Sequence, residues 1–409
     1  MSLRLLRCVL LTAGGALCCA QSPADPQRST AIADLPRPGY EPRTLTLGGI
    51  VVTPRVDLGA TYNDNIFATR AGEIGDVVFN LQPALEGRRQ TTSSDLRLAA
   101  NANLIRYARY DRENVTTFRG LADWRGDVAP RQSIRARASF DRSYQRRSDP
   151  EADFGAGRRP TLIDVAEAGL DYRFTGARLG MLASATATNY NFLPETDADR
   201  DLAVYRVALR GSYAVSGRTS VYLQGYAVRR DARLRVDRYG VDRDASTAGA
   251  LAGVSFDVSS RVQGELGIGA FRSDPSDPTL RAFSGLAASG QLTWQPRVRT
   301  AITLDAFRGD VATIRAGAIG RVDTRLSLAI DQELRHDVLA RAAVGIRDVA
   351  YRGAIDRDQR FRFAELEGTY LLNRHLAVLG NGSFTRRDAD QPIERFSRWT
   401  ATLGLRLTY

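Results

Sequence analysis

FSRWTATLGLRLTY, residues 396–409, sets Trp399, Ala401, Leu403, Leu405, Leu407 and Tyr409 on one face of an extended strand and Thr400, Thr402, Gly404, Arg406 and Thr408 on the other. Successive side chains of a strand point to opposite sides, so one face here is apolar and the other polar. A strand of this kind, finishing on an aromatic residue, suits the sealing stave of a transmembrane β-barrel. Trp399, Leu403, Leu405, Leu407 and Tyr409 are expected to face lipid and to form the strand through which barrel-assembly machinery engages the chain.

The same two-residue period runs upstream. Val52, Pro54, Val56, Leu58, Ala60 and Tyr62 alternate with Thr53, Arg55, Asp57, Gly59 and Thr61, and Leu96, Leu98, Ala100, Ala102 and Leu104 alternate with Arg97, Asn101 and Asn103. Tyr205, Val207, Leu209 and Tyr213 oppose Arg206, Arg210 and Ser212, while Val322, Leu326, Leu328 and Ile330 oppose Asp323, Arg325, Ser327 and Asp331. Pro54 lacks an N–H for a ladder and is expected at a bulge or at the strand's entry. In Ala183, Ala185 and Ala187 the apolar face is only weakly marked.

Of the 409 residues 25% are charged, and no apolar run after the N-terminus is long enough for a spanning helix. Only a closed barrel could then cross a bilayer. A soluble propeller, also built from evenly spaced strands, is the competing fold. It accounts less well for the N-terminus and for the terminal strand.

Residues 1–20 (MSLRLLRCVLLTAGGALCCA) read as a secretory signal, with Arg4 and Arg7 before a short apolar run and cleavage expected near Ala20. A lipoprotein reading of Cys18 or Cys19 fits less well, because a small residue is missing from its expected place. All three cysteines (Cys8, Cys18, Cys19) fall inside this segment, so residues 21–409 hold none. Disulfides, thiol catalysis and cysteine metal sites are thereby excluded for that part. Residues 21–48, with Pro23, Pro26, Pro36, Pro38 and Pro42, read as an extended periplasmic lead-in, and 49–409 as the barrel.

Short turns are expected near Thr175–Arg178, Ser216–Arg218, Ser259–Arg261, Pro296–Arg299, Arg335–Asp337 and Asn373–His375, a spacing of roughly 40 residues that matches one transmembrane hairpin with its loops. Tyr172, Phe174, Tyr213, Phe256, Trp294 and Tyr370 precede these turns and would form a periplasmic aromatic girdle. Longer polar connections at Gln145–Pro160, Leu193–Asp201 and Arg230–Asp244 belong on the extracellular side. The expected fold is all-β: an antiparallel up-and-down transmembrane barrel of about eighteen strands, sixteen to eighteen, with short periplasmic turns and longer extracellular loops.

The stretches RPGYEP (37–42), LGGIVVTPRVDLGATYNDNIFAT (47–69) and VVFNLQPALEGR (77–88) resemble the start of the family called putative beta-barrel porin 2. Tyr62, Asn63, Asp64, Asn65, Ile66 and Phe67 match its Tyr-Asn/Asp-Asp-Asn-hydrophobic-Phe hallmark, and Arg106–Tyr110 fits a later segment. The resemblance covers residues 37–125 in detail. It implies an outer-membrane barrel and, more narrowly, a part in exopolysaccharide export or assembly, with polysaccharide export components as partners. The family brings no settled catalytic residues.

The basic residues are all arginine, 57 against 46 acids. They are spread along the chain among acids, so solvated lumen and loop charges are favoured over nucleic-acid binding. Charge facing lipid near the midplane costs about 2–4 kcal/mol per arginine. The alternating charged residues are therefore assigned to the lumen: Arg55, Asp57, Arg97, Arg135, Arg137, Glu167, Asp171, Arg173, Arg206, Arg210, Glu265, Asp305, Arg325, Arg341, Glu365, Glu367 and Arg406. A wet interior follows, either a passive channel or a wall braced by internal ion pairs without conduction.

His336 and His375 sit in expected turns, away from any nucleophile and base arrangement, so an enzyme is not expected. YNDNIF lacks the spacing of a calcium loop and reads as an Asn/Asp-rich turn. Gly264–Gly269 (GELGIG) reads as strand glycines easing packing and curvature. No metal, cofactor or nucleic acid is called for. The expected surroundings are outer-membrane lipid and lipopolysaccharide.

Overall fold

The computed structural model describes residues 32, 35–152, 159–259, 261–354 and 356–409. The expected signal sequence and most of 21–34 lie outside them. Among the described residues nineteen strands follow in order. They begin with β1 (Leu45–Leu47), β2 (Ile50–Asn63), β3 (Asp76–Gln90), β4 (Ser94–Tyr107), β5 (Val115–Ala129) and β6 (Gln132–Tyr144). Next come β7 (Leu162–Thr175), β8 (Leu179–Phe192), β9 (Leu202–Ser216), β10 (Thr219–Ala232), β11 (Ala245–Ser259) and β12 (Val262–Pro275). The series ends with β13 (Phe283–Arg297), β14 (Thr300–Val311), β15 (Ala318–Arg335), β16 (Val338–Gly353), β17 (Arg357–Leu371), β18 (Leu376–Ala389) and β19 (Phe396–Thr408).

From β2 to β19 each strand pairs antiparallel with its chain neighbours, and β19 pairs back onto β2 from Thr400↔Asn63 to Thr408↔Arg55. The result is a closed wall of eighteen strands. Closure leaves no edge, which is the condition for crossing hydrocarbon with strands. Register carries one parity around the wall: Asp57 lies beside Gln82 and Arg406, while Leu58 lies beside Leu81 and Leu405. The first set looks into the lumen; the second is exposed outside, as are Trp399, Leu403, Leu407 and Tyr409.

Both ends of the wall's chain and the short turns gather at one end. Strand limits agree with the expected turns; Ser260, within one of them, lies outside the described residues. Tyr172, Phe174, Tyr213, Phe256, Trp294 and Tyr370 sit on the outward parity at this turn end. A second outward belt at the loop end holds Phe118 stacked on Phe140 (5.6 Å between centroids) and Phe384 against Trp399 (4.5 Å). Outward arginine–aspartate pairs also occur there, Arg142–Asp164 at 2.7 Å, Arg272–Asp274 at 2.9 Å and Arg360–Asp348 at 2.7 Å.

Two local results differ from the sequence reading. Pro54 makes no bulge: it pairs only with Leu85 of β3, because β19 reaches β2 no further than Arg55. Its missing N–H falls where no partner strand asks for one. The connection expected over Arg230–Asp244 starts later, since β10 runs on through Ala232 and turns Arg230 inward. Within the lead-in, β1 folds back on β2 through Gly48 (φ +56°) and Gly49 (φ +79°), the positive-φ pair of a tight hairpin turn.

The interior is not polar throughout. At the loop end Ile163, Val165, Tyr190, Phe192 and Leu202 of β7 to β9 face inward and pack with Ala312 and Ile314, from the connection between β14 and β15. That connection folds into the mouth and supplies apolar partners where a purely wet lumen was expected. Lower down, Tyr222 lies over the wall where a Cβ at Gly253 or Gly267 would meet its ring or hydroxyl within 2.4 Å. Gly267, of the GELGIG stretch, thus makes room for a lumen aromatic.

Candidate functional lumen

All seventeen charged residues assigned to the lumen lie on the inward parity of their strands. They do not converge on one point. Arg406 holds Asp57 through two bonds of 2.8 and 2.9 Å, and Arg55 reaches Asp57 and Glu86, each at 3.5 Å. Around the wall Arg137 pairs with Asp171 at 2.9 Å, Arg210 with Glu265 at 2.8 Å and Arg341 with Asp331 at 2.9 Å. Arg97 meets Asp95 at 3.1 Å, Arg325 meets Asp323 at 3.5 Å, and Arg135 pairs with Asp123. Asp305 and Glu365 accept amide N–H groups instead, from Gln291 and Asn381, each at 2.9 Å. Arg206 stacks on Tyr226 and Arg210 on Tyr222, 4.4 and 3.8 Å from the ring centroids. Glu167, Arg173 and Glu367 complete the inward set.

One cavity of about 1570 Å³ runs along the wall formed by β2 to β4 and β13 to β19. Twelve arginines and nine carboxylates border it, giving a mildly positive chamber. At the turn end the lead-in borders it: Arg37 pairs with Glu333 at 3.2 Å, and Tyr40 meets His336 edge to face at 5.9 Å. His375 instead contacts the Thr408 carbonyl at 3.2 Å. Each histidine sits in a turn.

At the loop end residues 145–152, after β6, reach to β15, roughly half-way round the wall. Glu151 pairs with Arg321 and accepts the Thr313 hydroxyl at 2.8 Å. The segment's carbonyls are held in turn: Asp149 by Arg387 (3.1 Å), Pro150 by Arg315 (3.2 Å) and Glu151 by Arg200 (3.1 Å). Arg398 donates to Ser148 Oγ at 3.0 Å, and Arg147 pairs with Glu113 at 2.8 Å.

A second buried acid, Glu394, binds Arg315 at 2.7 Å, Arg357 at 2.5 Å and Gln359 at 2.6 Å. Burial alone would raise the Glu394 carboxyl, but these partners, Arg315 foremost, hold it below the ordinary carboxylate range. Burial pushes the Arg243 guanidinium, in the connection after β10, down to about 10, where it is still charged at neutral pH. Arg243 donates to the Asp199 and Thr313 carbonyls, each at 2.8 Å. Desolvated charges of this kind are tolerable only when each finds partners.

The family model described as putative beta-barrel porin 2 matches residues 37–409. The chain belongs to that family. A comparison with curated proteins finds no match. Among solved structures it is similar to the FrpB iron transporter from Neisseria meningitidis (F3-3 variant), with 11% identity over 86% of this chain and 66% of that one and a TM-score of 0.46. The chain thus spans just under two thirds of that transporter's length. It is also similar to OccK2 (OpdF) from Pseudomonas aeruginosa, with 12% identity over 90% of this chain and all of that one (100%) and a TM-score of 0.47. These are distant likenesses of fold.

In this beta-barrel porin 2 chain the YNDNIF hallmark does more than turn the chain. Asn65 is fully buried; its amide donates to the Thr69 carbonyl at 2.7 Å and to the Ser397 carbonyl at 2.9 Å, and its Oδ1 accepts the Thr69 N–H at 3.0 Å. Asp64 accepts the Trp399 N–H at 2.8 Å, and its own N–H reaches the Trp399 carbonyl at 3.2 Å. The motif therefore clasps the first wall strand to the last. Sequence reasoning identified the turn but not this clasp, whose partners come from the far end of the chain.

Proposed function

We propose that this porin-like outer-membrane barrel is a passive channel, and that its physiological traffic is envelope or exopolysaccharide material, as a conduit or an accessory to export and assembly. The observation that carries the reading is the charged cavity running from the lead-in at the turn end to residues 146–150 at the loop end. Internal arginines opposite acids set a transverse field that orients dipolar or ionic solutes. In this reading the turn end faces the periplasm and the loop end the exterior. There the outward arginine–aspartate pairs would meet lipopolysaccharide headgroups, and the β19 strand would be the contact for assembly machinery. The polysaccharide assignment, with export components as partners, is supported by the family resemblance alone.

A second reading, a non-conducting structural barrel, is favoured by one feature, the bridged loop end. With residues 145–152 docked across the mouth, a polymer would need that segment to move aside. Single-channel recording in planar bilayers separates the two: discrete conductance steps support the channel, and silence from a verified folded barrel supports the scaffold.

Asp57→Asn leaves Arg406 without its two-pronged acid, so a conducting barrel is expected to shift its reversal potential under a salt gradient towards anion preference. An unchanged reversal potential would remove the Asp57–Arg406 pair from the determinants of the pore.

A further inference from the structure

We propose that the loop-end part of the lumen cavity binds the carboxylate of an acidic solute, held by the guanidiniums of Arg146 and Arg398. Several lumen arginines, such as Arg55, Arg137, Arg341 and Arg406, have an acid in contact. Arg146, on the connection after β6, and Arg398, on β19, have none within 4.0 Å among the described residues. The Arg146 guanidinium lies 5.9 Å from the Tyr144 ring centroid, and Arg398 donates to Ser148 Oγ and lies 5.9 Å from the Phe396 ring centroid. The Nε of each is buried with no acceptor.

The two guanidiniums are close enough to repel one another, and both border the cavity together with Tyr107 and Tyr144. Like charges that repel one another and keep unmet donors are relieved by an oxyanion. It cancels the repulsion and accepts the N–H groups in charge-assisted bonds.

The chain carries its own example of such an anion. Asp149 accepts the Arg146 backbone N–H at 2.9 Å and feels the charges of Arg146, Arg398 and Arg347. Arg347, on β16, is already held by Asp323 at 2.6 Å, and Arg387, on β18, donates to the Asp149 backbone carbonyl at 3.1 Å. Burial pushes the Asp149 carboxyl up to about 6 against the pull of these arginines. An acid raised in this way is neutral below that pH and charged above it. Asp149 therefore opposes an incoming carboxylate near pH 7.5 and not near pH 5.

The inference rests on the channel reading for its biological sense, but it is tested by binding, so a silent barrel and a barrel without an anion site give different results. Calorimetric titration of the purified full chain with D-glucuronate is expected to show binding near pH 5 that weakens several-fold near pH 7.5, with none for D-glucose. Arg146→Gln, in a connection rather than the wall, should weaken glucuronate binding by about tenfold or more. Asp149→Asn should make the affinity independent of pH and close to the native value near pH 5. Equal binding of glucose and glucuronate would overturn the proposal. So would native affinity in the Arg146 variant, absence of glucuronate binding at both pH values, or a clear preference for inorganic phosphate, in barrels whose folding is verified by heat-modifiable gel migration.

Discussion

Arg321→Ala is expected to free residues 145–152 from the mouth while leaving the barrel closed. The Arg321 side chain is 1% exposed, and its partner Glu151 is 6% exposed. Removing one member of a buried ion pair strands the other, at a cost of about 3–5 kcal/mol. Asp323 keeps Arg347, so the orphan is Glu151, left with the Thr313 hydroxyl. Much of the cost can be avoided by undocking, which returns Glu151 to water. Trypsin should then cut after Arg146 or Arg147 far faster in the folded variant than in the native barrel, and a conducting channel should gain open time. Native resistance to trypsin would show that Arg321 does not hold the segment. The double variant E151Q/R321M should be milder than R321A, because no charge is stranded.

Asn65→Ala is expected to lower stability by about 3 kcal/mol, the second large effect. The substitution removes a fully buried side chain and leaves the part-buried Ser397 and Thr69 carbonyls and Thr69 N–H without their partner. Unsatisfied buried groups cost about 1–3 kcal/mol each, partly offset where water reaches them. The denaturant midpoint of the detergent-solubilised barrel should fall, and the heat-modifiable band should convert at a lower temperature. Retention of the native midpoint would reduce the hallmark to an ordinary turn. The nearby Thr61–Thr402 hydroxyl pair, at 2.8 Å, offers a control lower on the same seam, whose loss should cost less because it removes one hydrogen bond rather than three and neither threonine is fully buried.

These two sites mark where the sequence could be read and where it could not. Strand parity is a local property, so Leu58 against Asp57, or Leu405 against Arg406, announces the wall without knowledge of its neighbours. Turn positions follow for the same reason. The loop-end bridge is different, because Glu151 and Arg321 stand 170 residues apart and nothing local to either indicates the other. Ile163, Val165 and Leu202 break the polar inward pattern, but their apolar partners, Ala312 and Ile314, arrive from a separate connection. Arg230 looked like loop because arginine and aspartate crowd around it. It is wall because the strands at that end project past the apolar band. Arg146 and Arg398 carried no signal in the chain, since what sets them apart is a missing neighbour.

The seam clasp also fixes an order of events in folding. Asn65 and Ser397 are separated by 332 residues and lie on the seam that brings the two ends of the wall together, and the entropy of drawing those ends together has to be met by pairing along all the intervening hairpins. Hairpins can form early and independently; this bond can form only when β19 is in place beside β2. A polypeptide stalled one hairpin short would keep two bare strand edges and an asparagine with no recipient. Protection of the Asn65 amide from solvent exchange would therefore time the completion of the cylinder.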